Sequence, residues 1–295
     1  MELAEALPYE DFGGEGQVLH FCHANGYPPG AYRALLTGLS AGYHVLAMHM
    51  RPLWPGSQPD AISDWRPLAS DLVRFLDQQG LSSVVGWGHS MGAVTTLRLA
   101  LRQPERFQAL VLIDPVLFPK RYTYLWELIY RLGLGYRLHP LAGSALRRRG
   151  TFDSQAAMLA IYRRKAVFRY MSDAALQDYV EALGCPLPGG RVELCYSSSW
   201  EARIYITGLR ADLELWRDLP QLKPPLLIIR GAASDTFWEV TGRLVLRQLP
   251  SAQVITIPEA SHLVALERPL EIMAAAREQG FLPTIANYST PRLTV

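Results

Sequence analysis

The chain has 295 residues, with 29 Lys and Arg against 27 Asp and Glu, and a formal net charge of +2. A balance this close to neutral gives no field strong enough to gather nucleic acid or to coat an anionic membrane. Hydrophobic residues make up 49% of the chain, which suits a large buried core and excludes a disordered chain or a small disulfide scaffold. The length allows one large domain or two smaller ones.

Short apolar runs alternate with amphipathic helical patterns along the chain, which is typical of a mostly parallel sheet with helices on both faces. The predicted strands are 17–22, 44–49, 84–89, 109–114, 225–230 and 253–257. Four helices are predicted: one from about 65 that Gly80 ends, one from Ser90 to before Pro104, and two more over 237–249 and 269–279. Residues 281–295 show no periodicity and are predicted to form a tail.

The alternation breaks over residues 118–220, where helical patterns follow one another without buried strands between them. We interpret this segment as a helical cap inserted in an α/β core of residues 1–117 and 221–295, because long insertions often cover a site. The cap has 15 Lys and Arg and 10 Asp and Glu, a net charge of +5 that leaves −3 for the core.

A Gly-His-Ser-Met-Gly sequence at residues 88–92 matches the G-x-S-x-G nucleophile elbow. It follows a predicted strand and opens a predicted helix, which is the context that the motif requires. Side chains at Gly88 or Gly92 would collide with the neighbouring strand or helix in so tight a turn. We therefore predict that Ser90 is a nucleophile at a helix N-terminus, where backbone N–H groups favour negative charge.

A serine hydroxyl needs a base, and the base needs a carboxylate that orients it. His262 lies between the last predicted strand and the last predicted helix, at the same sheet edge as Ser90, and we predict that it is the base. For the acid we prefer Asp235, because it lies between Ser90 and His262 in chain order. Asp114, at the end of the strand before the insertion, is the main alternative, whereas Glu259 is too close to His262 along the chain.

Acyl transfer places negative charge on a carbonyl oxygen, so two backbone N–H groups must be directed at that atom. The amide of Met91, directly after the nucleophile, is the first candidate. The second is expected in the His-Ala-Asn-Gly turn at 23–26, where we prefer Asn25 and keep Gly26 and Tyr27 as alternatives.

These motifs resemble those of the α/β-hydrolase superfamily: the elbow, the His-Ala-Asn-Gly loop, and the Glu-Ala-Ser-His sequence that ends at His262. The resemblance covers about residues 18–115 and 224–279, and it implies a helical cap over the site. Ala24 departs from the glycine that is usual in the family's loop, which leaves the second oxyanion donor open. Haloalkane dehalogenases and epoxide hydrolases are similar in layout but have Asp at the elbow, so Ser90 argues against both activities.

The resemblance implies a serine hydrolase that cleaves small or medium apolar carboxylic esters through an acyl-enzyme, without metal or organic cofactor. It leaves open a carbon-carbon bond hydrolase of dienoate ring-cleavage products, a cofactor-free perhydrolase or haloperoxidase, and a non-catalytic ligand-binding protein. The expected partner is a small ester, with no nucleic acid and no integral membrane segment.

We expect the substrate pocket to combine residues beside the nucleophile with aromatic residues of the cap. The candidates are Tyr27, His89, Tyr122, Tyr124 and Trp126, together with Tyr130 and Phe168. Aromatic residues at helical spacing also suit a small core within the cap, which is the alternative. The basic runs at 147–149 and 163–165 are predicted to be solvated faces, with attraction of an anionic substrate as the other possibility.

The first residues lack the basic start and apolar middle of a signal peptide, so we expect a cytoplasmic location. The three cysteines, Cys22, Cys185 and Cys195, match no zinc or redox spacing. In that compartment we expect no disulfide, although a turn at 186–190 would allow Cys185 and Cys195 to meet.

Overall fold

The computed structural model of the protein describes residues 6–283, and most of the predicted tail, from residue 284 onward, lies outside them. The strands, in chain order, are β1 (Tyr9–Asp11), β2 (Val18–Cys22), β3 (His44–Met48), β4 (Val84–His89), β5 (Phe107–Ile113), β6 (Thr151–Phe152), β7 (Gly184–Pro186), β8 (Val192–Leu194), β9 (Leu226–Gly231) and β10 (Gln253–Ile257).

Seven strands form the central sheet in the order β1-β3-β2-β4-β5-β9-β10. Only β1 is antiparallel to its neighbour, so the prediction of a mostly parallel sheet is confirmed. The six predicted strands are present, with ends that differ by at most two residues. Strand β1 was not predicted, because three residues at a sheet edge are too short to show an alternating pattern.

Helices cover both faces of this sheet and also fill the insertion. They are α1 (Arg33–Leu39), α2 (Arg66–Gln78), α3 (Met91–Arg102), α4 (Lys120–Arg131), α5 (Gly135–Leu138), α6 (Ala142–Leu146), α7 (Gln155–Arg163), α8 (Asp173–Leu183), α9 (Ser198–Thr207), α10 (Asp212–Asp218), α11 (Glu239–Gln248), α12 (Val264–Glu267) and α13 (Pro269–Glu278). The four predicted helices are α2, α3, α11 and α13. Within residues 6–283 no helix is long and apolar enough to span a bilayer.

Helix α2 shows how the sequence pattern becomes structure. Its apolar residues Leu68, Leu72 and Phe75 recur at helical spacing and are fully buried against the sheet. Gly80 follows the helix with a φ of 66°, a left-handed conformation that glycine adopts without steric cost. The predicted end of this helix is therefore confirmed.

The insertion is mostly helical, but it also contains a small antiparallel sheet in the order β6-β8-β7. This sheet was not predicted, because strands of two or three residues leave no periodic signal. Strands β7 and β8 form a hairpin that turns through Gly189 and Gly190, both with positive φ. The two ends of the hairpin therefore lie next to each other.

A disulfide joins Cys185 and Cys195 at the end of this hairpin, with a Cα–Cα distance of 5.3 Å. The expectation of no disulfide was wrong, because it was taken from the expected compartment and not from the hairpin geometry. Cys22 is the remaining thiol and is buried in β2. Disulfides are rare in reducing compartments, so the cytoplasmic location stays a prediction.

Protein expressed in an oxidising compartment and unfolded without reductant is expected to show one titratable thiol per chain, from Cys22. After reduction, all three cysteines of the sequence should react. The Cys195→Ser variant is the control and should show two thiols before reduction. Three titratable thiols in the unmutated protein, unfolded without reductant, would contradict the disulfide.

The start of α3 lies against the end of β2 with almost no space between the two backbones. A Cβ atom at Gly92 would lie 2.1 Å from the carbonyl oxygen of Cys22 and 2.7 Å from that of His23. A Cβ atom at Gly88 would lie 2.6 Å from the carbonyl oxygen of Gly92. The predicted steric reason for both glycines of the elbow is therefore confirmed.

We expect Gly92→Ala to lower the free energy of unfolding by about 3 kcal/mol, because the added methyl group meets backbone that cannot rotate away. The matched control is Gly150→Ala, since a Cβ atom there meets nothing within 4 Å. Its effect should stay within about 0.5 kcal/mol. Urea denaturation of both variants measures the difference, and equal stabilities would refute the close approach.

Candidate active site

Ser90 occupies the turn between β4 and α3. Its φ is 56°, a positive value that is uncommon for a residue with a side chain and that marks a strained turn. The backbone N–H of Ser90 donates to the carbonyl of Ile113 at 2.9 Å, which ties the turn to β5. The hydroxyl is thereby held at the carboxyl edge of the sheet and lines a cavity.

His262 lies in the loop after β10 and contacts Ser90 directly. Its Nε2 is 2.9 Å from the Ser90 Oγ, the separation of a hydrogen bond. The loop reaches this position by packing on the end of β9, where a Cβ atom at Gly231 would lie 2.1 Å from the carbonyl oxygen of Ser261. The structure thus brings the predicted nucleophile and the predicted base together.

The carboxylate beside His262 belongs to Asp114. Its Oδ2 lies 2.6 Å from the His262 Nδ1, and the side chain is fully buried. Asp235, which we preferred from the sequence, lies four residues beyond the end of β9 and is exposed. Its carboxylate accepts a hydrogen bond from the Thr236 hydroxyl at 3.2 Å. The preference for Asp235 as the partner of His262 was wrong, and the alternative, Asp114, holds that position.

Strand register explains this result. In the central sheet His89 pairs with Ile113, so the next residues, Ser90 and Asp114, leave neighbouring strands side by side. Chain order does not separate the two candidates, since both Asp114 and Asp235 lie between Ser90 and His262. The two candidate acids are distinguished by the pairing of β4 with β5, which places Asp114 beside Ser90. A sequence pattern does not show which strands are neighbours in the sheet.

Ser234, one residue before Asp235, is a contributor that the sequence did not reveal. Its hydroxyl donates to Asp114 Oδ2 at 2.5 Å and accepts the backbone N–H groups of Thr236 and Phe237 at 3.1 and 3.2 Å. The loop after β9 therefore does not provide the carboxylate that contacts His262. It provides the Ser234 hydroxyl, which holds the carboxylate of Asp114 in place. A serine in a loop after a strand has no distinctive signal, and only the position of Asp114 identifies it.

Two opposing effects act on the pKa of Asp114. Burial raises the pKa, because the carboxylate loses its water, and the hydrogen bond with His262 lowers it. The net direction is upward. Oδ1 of this carboxylate has no hydrogen-bond partner among the described residues, so both of its hydrogen bonds converge on Oδ2.

His89, predicted as a substrate contact, is instead fully buried behind the elbow and does not line the cavity. Its Nε2 lies 2.8 Å from the carbonyl oxygen of His262, so this nitrogen carries the proton and donates. Its Nδ1 then accepts from the Tyr32 hydroxyl at 2.8 Å, and the same hydroxyl oxygen accepts the Ala24 N–H at 3.1 Å. A series of hydrogen bonds therefore links the turn at residues 23–26, the elbow and the loop that carries His262.

The charge state of His89 is compatible with both of these hydrogen bonds. Burial lowers the pKa of its imidazole well below the usual value, and the neighbouring His262 lowers it further. His89 is consequently neutral near pH 7, with one donor nitrogen and one acceptor nitrogen, as the two hydrogen bonds require.

The residues of the two proposed oxyanion donors, Met91 and Asn25, both line the cavity with Ser90. Met91 is the first residue of α3, so its N–H has no carbonyl partner within the helix. The N–H of Asn25 makes no hydrogen bond to another described residue. Gly26 has a φ of 79°, the turned backbone that we predicted here.

Side-chain contacts fix the position of Asn25. The Tyr196 hydroxyl donates to its Oδ1 at 2.8 Å, and its Nδ2 donates to the carbonyl of Glu201 at 3.1 Å. Both partners belong to the insertion, so the inserted segment holds the loop that carries the second predicted donor.

The site opens into a cavity of about 710 Å³ between the sheet edge and the insertion. Tyr27, Tyr122 and Trp126 line it as predicted, but Tyr124 does not and is 61% exposed. Sequence reasoning missed other wall residues, since they come from five separate segments. They include Trp65, Phe118, His139, Tyr205 and Trp238.

Three residues of the insertion that the sequence analysis singled out make other contacts and do not line the cavity. Phe168 is buried and packs against Tyr162 and Tyr179, which matches the alternative of a small core within the insertion. Arg148, predicted in a solvated face, is instead mostly buried, forms an ion pair with Glu201 and donates to the hydroxyls of Tyr162 and Tyr179. The Tyr130 ring lies under the Arg210 guanidinium.

Within residues 6–283, no group of three or more His, Cys, Asp or Glu side chains is arranged to hold a metal ion.

Comparison with known proteins agrees with this architecture. The model of the alpha/beta hydrolase family matches residues 21–276, which is more than half of the chain. The protein therefore belongs to the alpha/beta hydrolase family.

Curated relatives include enzymes of several activities. An epoxide hydrolase of Caballeronia sordidicola is 38% identical over 32% of this chain and 30% of its own length. An sn-1-specific diacylglycerol lipase of Mus musculus is 28% identical over 74% of this chain and 64% of the relative. An esterase of Escherichia coli is 25% identical over 75% of this chain and 76% of the relative. The chain thus spans less than two thirds of the length of the first two.

Solved structures show the same fold at low identity. An E-2-(acetamidomethylene)succinate hydrolase superposes with a TM-score of 0.73 at 20% identity, covering 92% of this chain and 94% of the other. An esterase of Mycobacterium tuberculosis superposes with a TM-score of 0.70 at 21% identity, covering 94% and 88%.

Asp114→Asn and Asp235→Asn distinguish the two candidate acids. We expect Asp114→Asn to lower kcat for p-nitrophenyl ester hydrolysis by about 10³- to 10⁴-fold, because an amide no longer stabilises the required tautomer and charged form of His262. Asp235→Asn should keep most of kcat. Melting curves check that both variants are folded, and a larger loss of kcat in Asp235→Asn would refute the assignment.

Proposed function

We propose that the protein is a serine hydrolase that cleaves carboxylic esters of apolar substrates through an acyl-enzyme intermediate. The observation that carries the proposal is the hydrogen-bonded series from Ser90 through His262 to Asp114 at the wall of the cavity. A hydroxyl, an imidazole and a buried carboxylate in this order are the groups that nucleophilic acyl transfer needs.

In the proposed reaction, Ser90 Oγ attacks the ester carbonyl carbon while His262 Nε2 accepts the hydroxyl proton. Asp114 accepts the Nδ1–H of His262, which fixes the tautomer and stabilises the imidazolium that forms. The N–H groups of Met91 and Asn25 are proposed to hold the oxyanion. His262 then gives its proton to the leaving alcohol, and it activates the water that releases the acid and restores Ser90.

The cavity supports an apolar substrate. Its wall contains mainly aliphatic and aromatic side chains, and its volume of about 710 Å³ is in the range of sites for small organic ligands. We propose that residues 118–220 act as a cap that sets specificity through Tyr122, Trp126 and Tyr205, which line this wall.

The relatives support an ester over an epoxide. Both a curated esterase and a diacylglycerol lipase align with about three quarters of this chain, whereas the epoxide hydrolases align with about a third. Epoxide hydrolases of this superfamily have a carboxylate at the elbow, and this chain has the Ser90 hydroxyl there. A serine activated by histidine suits attack on a carbonyl carbon.

Ser90→Ala tests the proposal. We expect kcat/KM for p-nitrophenyl butyrate to fall by at least about 10⁴-fold, because no other hydroxyl occupies the nucleophile position. Covalent labelling by an organophosphonate should disappear at the same time.

The control is Ser70→Ala, since Ser70 lies on the exposed side of α2, away from the cavity. This variant should retain turnover and labelling. Normal hydrolysis by a clean Ser90→Ala preparation would exclude the mechanism. A panel of esters with graded acyl chains on the native protein then defines the preferred acyl length.

A further inference from the structure

The outer surface of the insertion carries leucines that no described element covers. Six of them are 49 to 62% exposed and lie on the consecutive helices α4, α5 and α6 or on the short links between them. We call this set the leucine face. It consists of Leu125, Leu128, Leu132, Leu138, Leu141 and Leu146.

Helix α4 shows that the exposure is patterned. Leu125, Leu128 and Leu132 follow one another at intervals of three and four residues, so they share one side of the helix axis and continue past its end. The only fully buried residue of α4 is Thr123, a polar residue. The helix therefore exposes leucines on its outer side while Tyr122, Trp126 and Ile129 line the cavity, so the polar outer side of a usual surface helix is missing here.

The leucine face is continuous with the substrate cavity. Leu125 and Leu141 both line the cavity and are about half exposed, so they form its apolar rim. Val167, from another part of the insertion, does the same at 49% exposure. Three exposed apolar residues of the insertion are therefore also part of the cavity wall.

Positive charge accompanies these leucines. Between residues 120 and 147 the sequence has five Lys or Arg and one acidic residue, Glu127. Glu127 is paired with Arg131 and Arg210, so it is already neutralised. Arg121 and Arg137 form no ion pair with a described acid, and both are exposed. The net charge of the whole chain is small, but its distribution is uneven.

We propose that the leucine face docks on an anionic lipid surface and that the cavity opens toward that surface. Exposed apolar residues flanked by cations are the combination that enters the boundary between headgroups and acyl chains. Leucines insert, while Arg121 and Arg137 meet the anionic headgroups. A second copy of this chain would bring the same cations together, so charge complementarity favours lipid over self-association.

Docking also gives the proposed esterase a source of apolar substrate, and this part rests on the proposed function. A lipid ester leaving the surface would pass Leu125 and Leu141 directly into the cavity. Vesicle binding itself does not require catalysis. A failure to bind vesicles would therefore reject the docking proposal alone, and a failure to hydrolyse esters would reject the proposed function alone.

The experiment is sedimentation of the purified native protein with vesicles of ether-linked phospholipids, which contain no ester bond to hydrolyse. We expect binding to vesicles of phosphatidylcholine with phosphatidylglycerol, and about tenfold weaker binding to phosphatidylcholine alone. The double variant Leu128→Ser/Leu132→Ser should lower the partition coefficient by about tenfold or more. Both leucines lie outside the cavity wall, so hydrolysis of dissolved p-nitrophenyl acetate should not change.

The matched control is Leu270→Ser on α13, because Leu270 is 62% exposed, as Leu132 is, but belongs to another surface. It should bind vesicles as the native protein does. Arg121→Gln/Arg137→Gln should lose the preference for anionic vesicles and keep the binding to neutral ones.

Three results would overturn the proposal. The first is that the native protein does not bind anionic vesicles. The second is that Leu270→Ser and Leu128→Ser/Leu132→Ser lower the partition coefficient equally. The third is a native dimer in light scattering that Leu128→Ser/Leu132→Ser converts to a monomer without any vesicle binding, which would make the face a contact between two copies.

Discussion

The hydrogen bond between His262 and Asp114 is the interaction on which the site depends. It joins the loop after β10 to the end of β5, and Ser234 from the loop after β9 donates to the same carboxylate oxygen. Three segments that are far apart in the chain therefore meet at one buried atom. Because this carboxylate is removed from water, the hydrogen bond acts where the local dielectric is low and charge interactions are strong.

A second set of contacts holds the groups around that bond. The neutral imidazole of His89 joins the carbonyl of His262 to the Tyr32 hydroxyl, which in turn accepts the Ala24 N–H. The proposed base, His262, and the turn at residues 23–26 are thus connected through the interior of the core. Such buried support fixes reactive groups more precisely than loops do by themselves.

The inserted segment contributes to the site from the other side. Tyr196 and Glu201 hold Asn25 by its side-chain amide, and the aromatic wall of the cavity comes in large part from the same segment. Its outer surface is apolar and cationic, whereas the residues that pack inward are aromatic. The segment therefore has two faces with different chemistry, one toward the proposed substrate and one toward the surroundings.

The sequence by itself determined six strands of the central sheet, four of the helices, the elbow at Ser90 and the loop of His262, because periodicity and glycine positions are local properties. Only the tertiary structure decided that Asp114 and not Asp235 faces His262, since this depends on β4 and β5 being neighbours in register. The role of His89 and the disulfide of the β7–β8 hairpin were decided there too. Contacts between residues distant in sequence follow from packing, and packing is not encoded in any short pattern.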